Sequence, residues 1–363
     1  MRSEQNHDGD DGGRWSGAEP FDRPHLTSAG EDAPPPELVL ERALFEAKRI
    51  MVGQDLMIER LFVCWLARGH CLVEGAPGLA KTLAAETVAR ILGGRFARLQ
   101  VTPDLVPAVL VGTRVYRPSR EAFDVELGPI FANVVLADEI NRAPAKVQSA
   151  LLEVMAERHV SIGGTTYPVP SPFLVLATQN PIESEGVYPL PEAQRDRFLM
   201  KIVVGYPSGR EEAEIVRRMS IDPPTAAQVL DREGLTALQA AADSVFLHDA
   251  VLDYAVRLVL ATREPANHDL TDLVPLIAHG VSPRGTLGLV AAGRALALLR
   301  GRAYVLPQDV YDVARDVLRH RLLISYEALA DGVTADQVVE RIVQTVVAPR
   351  ITPTQDGPLV AVA

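Results

Sequence analysis

The segment Gly75-Ala76-Pro77-Gly78-Leu79-Ala80-Lys81-Thr82 follows an apolar run and opens a helical pattern. That is the setting of a phosphate-binding loop: backbone N–H groups at a helix start face the anion, and the helix dipole favours negative charge there. Lys81 would reach the β- and γ-phosphates of ATP, and Thr82 would offer its hydroxyl to Mg2+. Ala80 stands where the strict pattern has glycine, so its methyl is expected to require a negative φ. The run Val134-Val135-Leu136-Ala137-Asp138-Glu139 delivers two carboxylates at a strand end, where open α/β sheets bind ligands. Asp138 is the candidate Mg2+ ligand, and Glu139 the candidate general base for an attacking water. Asn180 ends another apolar strand and can orient that water, although Asn-Pro is also a common turn. Arg197 and Arg284 are each either a partner for a γ-phosphate or a surface arginine.

Holding these groups together takes a sheet. Short apolar runs at 70–74, 96–101, 133–138, 173–178 and 198–204 alternate with helical stretches. Near-continuous apolar strands separated by helices predict an α/β fold with a five-stranded parallel sheet covered on both faces. Two insertions, 112–126 and 160–169, read as hairpins, the second with Gly163-Gly164 at its turn. From 208 to 348 the apolar spacing is helical only, as at 210–219, 248–262, 282–300, 307–320 and 333–346. The domains expected are therefore a tail over 1–36, a nucleotide-binding core over 37–205, a helical domain over 206–350 and a flexible end over 351–363. The tail holds eight acids against three arginines and too little apolar surface to order itself.

Composition removes several classes of function. A formal charge of −11 argues against a protein that grips phosphate backbones, so no nucleic-acid partner is expected. An arginine interrupts every long apolar run, so no membrane insertion is expected. Two cysteines, Cys64 and Cys71, exclude a disulfide framework and a multi-cysteine zinc site, and fit the reducing cytoplasm. His70 and Cys71 are expected to be packed, and Arg319-His320-Arg321 to complement a helix end.

The strings EGAPGLAKT (74–82), LADEINRAP (136–144), ATQNP (177–181), YPLPEAQRDRFLM (188–200) and SPRGT (282–286) occur in that order. Together they resemble the MoxR family of AAA+ ATPases, over about 40–350. The resemblance implies an AAA+ P-loop core with a C-terminal all-α lid domain. It also accepts Ala80 in the loop. By the same resemblance Asn180 falls on the sensor 1 position, Arg197 on the arginine finger and Arg284 on sensor 2, in cis or in trans. Val52-Gly53-Gln54 falls where such proteins cradle adenine, and the hairpins match insertions that point toward a ring pore. It further implies a homo-hexamer, a partner with a von Willebrand factor A domain, and chaperone-like remodelling of a protein client.

Two positions depart from the family pattern. Ala108-Val109 replaces a common Ser-Asp pair, and Arg195 replaces a frequent leucine, where it competes with Arg197 or faces solvent. The competing readings are a chelatase-type motor for metal insertion, an ATP-dependent scaffold with little turnover, a self-contained small-molecule kinase and a DNA motor.

Overall fold

Buried apolar strands need helices on both faces, and the chain supplies them in alternation. The computed structural model describes residues 34–180, 188–352 and 360–362. Helices α1 (Pro36–Ile50) and α2 (Asp55–Leu66) lead into β1 (Cys71–Glu74), α3 (Lys81–Ile91) and β2 (Phe96–Gln100). A short α4 (Pro107–Val111) precedes the hairpin of β3 (Gly112–Arg117) and β4 (Ala122–Leu127). Next come β5 (Val134–Asp138), α5 (Ala145–Glu157) and the hairpin of β6 (His159–Ile162) and β7 (Thr165–Pro168). Then β8 (Leu174–Gln179), α6 (Glu192–Arg195) and β9 (Met200–Val203) follow. The central sheet has the order β2-β5-β8-β1-β9, every neighbour parallel. Both expected hairpins are present. Residues 1–33 of the expected tail lie outside the described residues.

After Val203 the chain runs through α7 (Gly209–Met219), α8 (Arg232–Ser244), α9 (Asp249–Arg263), the three-residue β10 (Ile277–His279), α10 (Pro283–Leu299) and α11 (Pro307–Leu318). It continues as the two-residue β11 (Leu323–Ile324), α12 (Tyr326–Ala330) and α13 (Ala335–Thr345). The helical spacing missed one feature: β10 and β11 pair antiparallel, in segments too short to show alternation. At the end expected to be flexible, β12 (Arg350–Thr352) pairs antiparallel with β13 (Val360–Val362).

The helical region shares one apolar core with the sheet region, and a buried ion pair crosses the join. Arg60 of α2 donates to Asp316 of α11 at 2.7 Å and to the Asp312 carbonyl at 2.7 Å, and both side chains of the ion pair are buried. Taking two ions out of water is unfavourable unless each is fully matched, as here. The two hairpins also meet. A Cβ on Gly163, at the turn between β6 and β7, would lie 2.0 Å from Cδ of Arg114 on β3. The Arg114 guanidinium in turn covers the Phe123 ring of β4, 4.7 Å from its centroid. Among the described residues, no helix is long and apolar enough to cross a membrane.

Two buried histidines tie strand starts to their surroundings. His70 Nδ1 accepts from the Val175 amide at 2.9 Å, and Nε2 donates to the Met155 carbonyl at 3.2 Å. Burial first, then the nearby Arg158, push its pKa down to about 3. His320, likewise buried, donates from Nε2 to the Phe198 carbonyl at 3.0 Å and is also held well below the ordinary value. Unfolding returns both rings to about 6.5, so below that pH the unfolded chain binds protons that the folded chain excludes. Stability therefore falls as pH drops from 6.5, by up to about 1.4 kcal/mol per pH unit for each ring. Urea midpoints measured between pH 7 and pH 5 should fall steadily; a flat profile contradicts neutral burial.

Candidate active site

The phosphate loop leaves β1 at Gly75 and turns into α3 at Lys81. Gly75 lies so near β9 that a Cβ would come within 2.9 Å of the Val204 carbonyl oxygen, which demands glycine. Gly78 has φ +82, a turn conformation that suits glycine. Ala80 has φ +57 and ψ +23, so the expected negative φ is overturned. The helix starts from a left-handed residue that a methyl group tolerates at a cost of about 1–2 kcal/mol. Lys81 Nζ donates to the Gly75 carbonyl at 2.8 Å, folding the loop back on itself. Partial burial lowers the Lys81 pKa, while Asp138, Glu139 and Glu74 pull it upward, which places all three carboxylates around the ammonium.

Asp138 ends β5 and pairs across the sheet with both neighbouring strands. Its Oδ1 accepts from Thr178 Oγ1 of β8 at 2.7 Å, and its Oδ2 from Arg98 of β2 at 2.6 Å. The same Thr178 hydroxyl accepts from the Glu139 amide at 2.9 Å. Thr178 is fully buried, so this one oxygen sets the heights of both carboxylates. Glu139 has φ +59, a second non-glycine residue in the left-handed region. Its Oε2 lies 3.0 Å from Arg142 Nε. Asn180 is buried directly after β8, next to the Gln179 carbonyl that accepts from the Gly75 amide at 3.3 Å.

Val52-Gly53-Gln54 lies beside the same loop. Gln54 Nε2 donates to the Gly205 carbonyl at 3.2 Å, one residue past Val204. A Cβ on Gly53, at φ +72, would meet Glu211 Cδ at 2.8 Å.

Arg197 and Arg284 are elsewhere. Arg197 lies three residues before β9, where the Leu199 amide donates to the His70 carbonyl at 2.7 Å just ahead of β1. Arg197 donates to the Leu152 carbonyl at 2.7 Å. Arg284 opens α10 and lies 3.6 Å from Asp196. Both arginines are exposed and line one cavity of about 330 Å3. This edge of the sheet holds the strand starts. The phosphate loop is at the edge where strands end, a strand length of about 13 Å away.

Residues 70–200 match the ATPase family associated with various cellular activities (AAA), and residues 271–342 match the AAA lid domain. Chaperone MoxR1 of Mycobacterium tuberculosis is 58% identical over 350 residues, 94% of this chain and 93% of that protein. The chain belongs to the MoxR family of AAA+ ATPases. Protein MoxR of Paracoccus denitrificans is 36% identical, over 76% of this chain and 86% of that protein. The crystal structure of a putative ATPase from Cytophaga hutchinsonii superposes with a TM-score of 0.82 at 42% identity. It matches 87% of this chain and 96% of that one. This MoxR-family chain is thus an ATPase with an AAA+ core and a lid.

Within it, the structure brings together 52–54, the loop 75–82, Asp138, Glu139 and Asn180, and sets Arg197 and Arg284 apart. Arg195 is half-buried with its Nε shielded, so it does not simply face solvent. Sequence reasoning missed Thr178 and Arg98. The signal for Thr178 was present: a lone hydroxyl near the tip of an apolar strand, two residues before Asn180. Replacing Thr178 by Val removes the hydroxyl bridge with little change in volume. We expect kcat for ATP to fall by about 10–100-fold, with the fold intact by circular dichroism. Unchanged turnover would remove Thr178 from the site.

Proposed function

We propose that this ATPase works as a ring of identical subunits, hydrolysing ATP between neighbours to remodel a protein client. The observation that carries this reading is the separation of the two edges. One edge offers a phosphate loop, a metal-binding carboxylate and a base. The other offers two exposed arginines at a distance no arginine side chain spans. A neighbour seated against the strand ends supplies what each copy lacks, so Arg197 acts in trans and Arg284, sharing its cavity, acts with it.

Within one site the roles follow from position. Main-chain amides of 75–82 and Lys81 would hold the phosphates, and 52–54 would cradle the adenine. Thr82 and Asp138 are oxygen donors of the kind Mg2+ takes, and Asp138 retains lone pairs beyond those given to Thr178 and Arg98. When bound, Mg2+ neutralises charge on the β- and γ-phosphates. Glu139 polarises the attacking water, which requires its carboxylate to leave Arg142, and Asn180 orients that water. Arg197 stabilises the charge that develops on the γ-phosphate.

Family resemblance supports a hexamer, a partner bearing a von Willebrand factor A domain and a chaperone-like role. The two buried cysteines and the acidic charge support a cytoplasmic protein without nucleic-acid partners. A Glu139→Gln chain, which should bind ATP without turning it over, is the bait for the client.

ATP turnover per subunit should climb with protein concentration, and Arg197→Ala should lower it by about 10³-fold or more. Flat specific activity from a monomer, with Arg197→Ala harmless, would refute the shared site.

A further inference from the structure

Asp196 directly precedes Arg197 in the chain and reaches Arg284 across the start of α10. Its Oδ1 accepts from Arg321 Nε at 2.9 Å. Its Oδ2 accepts from Ser282 Oγ at 2.9 Å and lies 3.6 Å from Arg284 Nη1. Ser282 is also the N-cap of α10, accepting from the Arg284 amide at 3.2 Å. Arg321 sits three residues beyond α11 and grips the main chain on either side of Arg197. It donates to the Phe198 carbonyl at 2.5 Å, the Leu199 carbonyl at 3.0 Å and the Asp196 carbonyl at 3.3 Å.

The run Arg319-His320-Arg321 thus does more than complement a helix end. Arg319 does bond the Arg315 carbonyl in the last turn of α11. Arg321 is nearly fully buried, and burial pulls its pKa down to about 10, still cationic at neutral pH. A buried guanidinium needs an anion, and Asp196 is the carboxylate that meets it. One carboxylate therefore joins the segment carrying Arg197 to the start of α10, which carries Arg284, and to the end of α11.

We propose that Asp196 is a positioning residue that sets Arg197 and Arg284 as a matched pair for the γ-phosphate of a neighbouring copy. The inference rests on the shared-site reading above. A carboxylate that served only to balance Arg321 would have no need of Ser282 and Arg284 on its second oxygen. That second oxygen ties the spacing of the two arginines to the seating of α10.

Mixed rings test this. Asp196→Asn and Glu139→Gln chains carrying different tags are co-expressed and purified through both tags. A Glu139→Gln chain lacks the base but keeps its arginine edge. An Asp196→Asn chain keeps its phosphate loop. Alone, Asp196→Asn should lose about 100-fold in kcat with KM for ATP little changed, because its own loop is intact. Mixed, activity should recover to about a quarter of wild type, the share of interfaces that join an intact loop to an intact edge. A defect of folding alone cannot be complemented in this way.

Arg197→Ala mixed with Glu139→Gln is the reference. If that mixture fails to recover, the shared-site reading falls and takes the inference with it. If it recovers, the inference is overturned by wild-type turnover of Asp196→Asn alone. It is equally overturned if a folded Asp196→Asn chain is not rescued in the mixture. Should Asp196→Asn not fold, Ser282→Ala decides, since it removes the hydroxyl bond to the second oxygen and leaves the Arg321 pair. A drop of about tenfold in kcat, rescued in the mixture, supports the inference; unchanged kcat refutes it.

Discussion

The polarity of the sheet is the constraint on which the rest depends. All five strands run the same way, so every strand end faces one edge and every strand start the other. β1 hands over to the phosphate loop at the first edge, and β5 and β8 deliver Asp138, Glu139 and Asn180 beside it. β9 begins at the second edge, and Arg197 is therefore left there. No adjustment of loops changes this, because reversing one strand would break its ladder with β1. The phosphate loop and the two arginines therefore lie at opposite edges of one chain.

Within the first edge, precision comes from two residues in backbone conformations that side chains disfavour. Ala80 starts α3 at φ +57, and Glu139 leaves β5 at φ +59. Each costs about 1 kcal/mol or more and persists because its surroundings hold it. Lys81 bonds back to Gly75 across the loop, and Thr178 receives the Glu139 amide while donating to Asp138. The ends of β1, β5 and β8 thus fix the loop and both carboxylates as a unit.

Much of this was legible from residue order. Apolar runs of five to seven residues located the sheet, and glycines with a lysine located the loop. Both hairpins were readable because turn residues interrupt alternating segments. What escaped detection depends on contacts between distant segments. Arg98 lies in an ordinary-looking strand, and only pairing of β2 with β5 brings it to Asp138. Arg321 looked like a helix-end cation because its other partners, residues 196–199, are more than a hundred positions earlier. The backbone of Ala80 was misjudged because the steric rule was applied without the loop that enforces the conformation. The ladder of β10 with β11 is too short for any periodicity.

The meeting of the hairpins carries a different kind of consequence. Arg114 lies across Gly163, so the side chain at one position occupies the space a side chain at the other would need. The two insertions arose at separate points of the chain, but they are not free to diverge separately. A side chain at 163 is admissible only if Arg114 moves aside or shortens, and either change uncovers the Phe123 ring. Substitutions at the two positions are thereby coupled, and the two hairpins should change together along a lineage, as one inherited character.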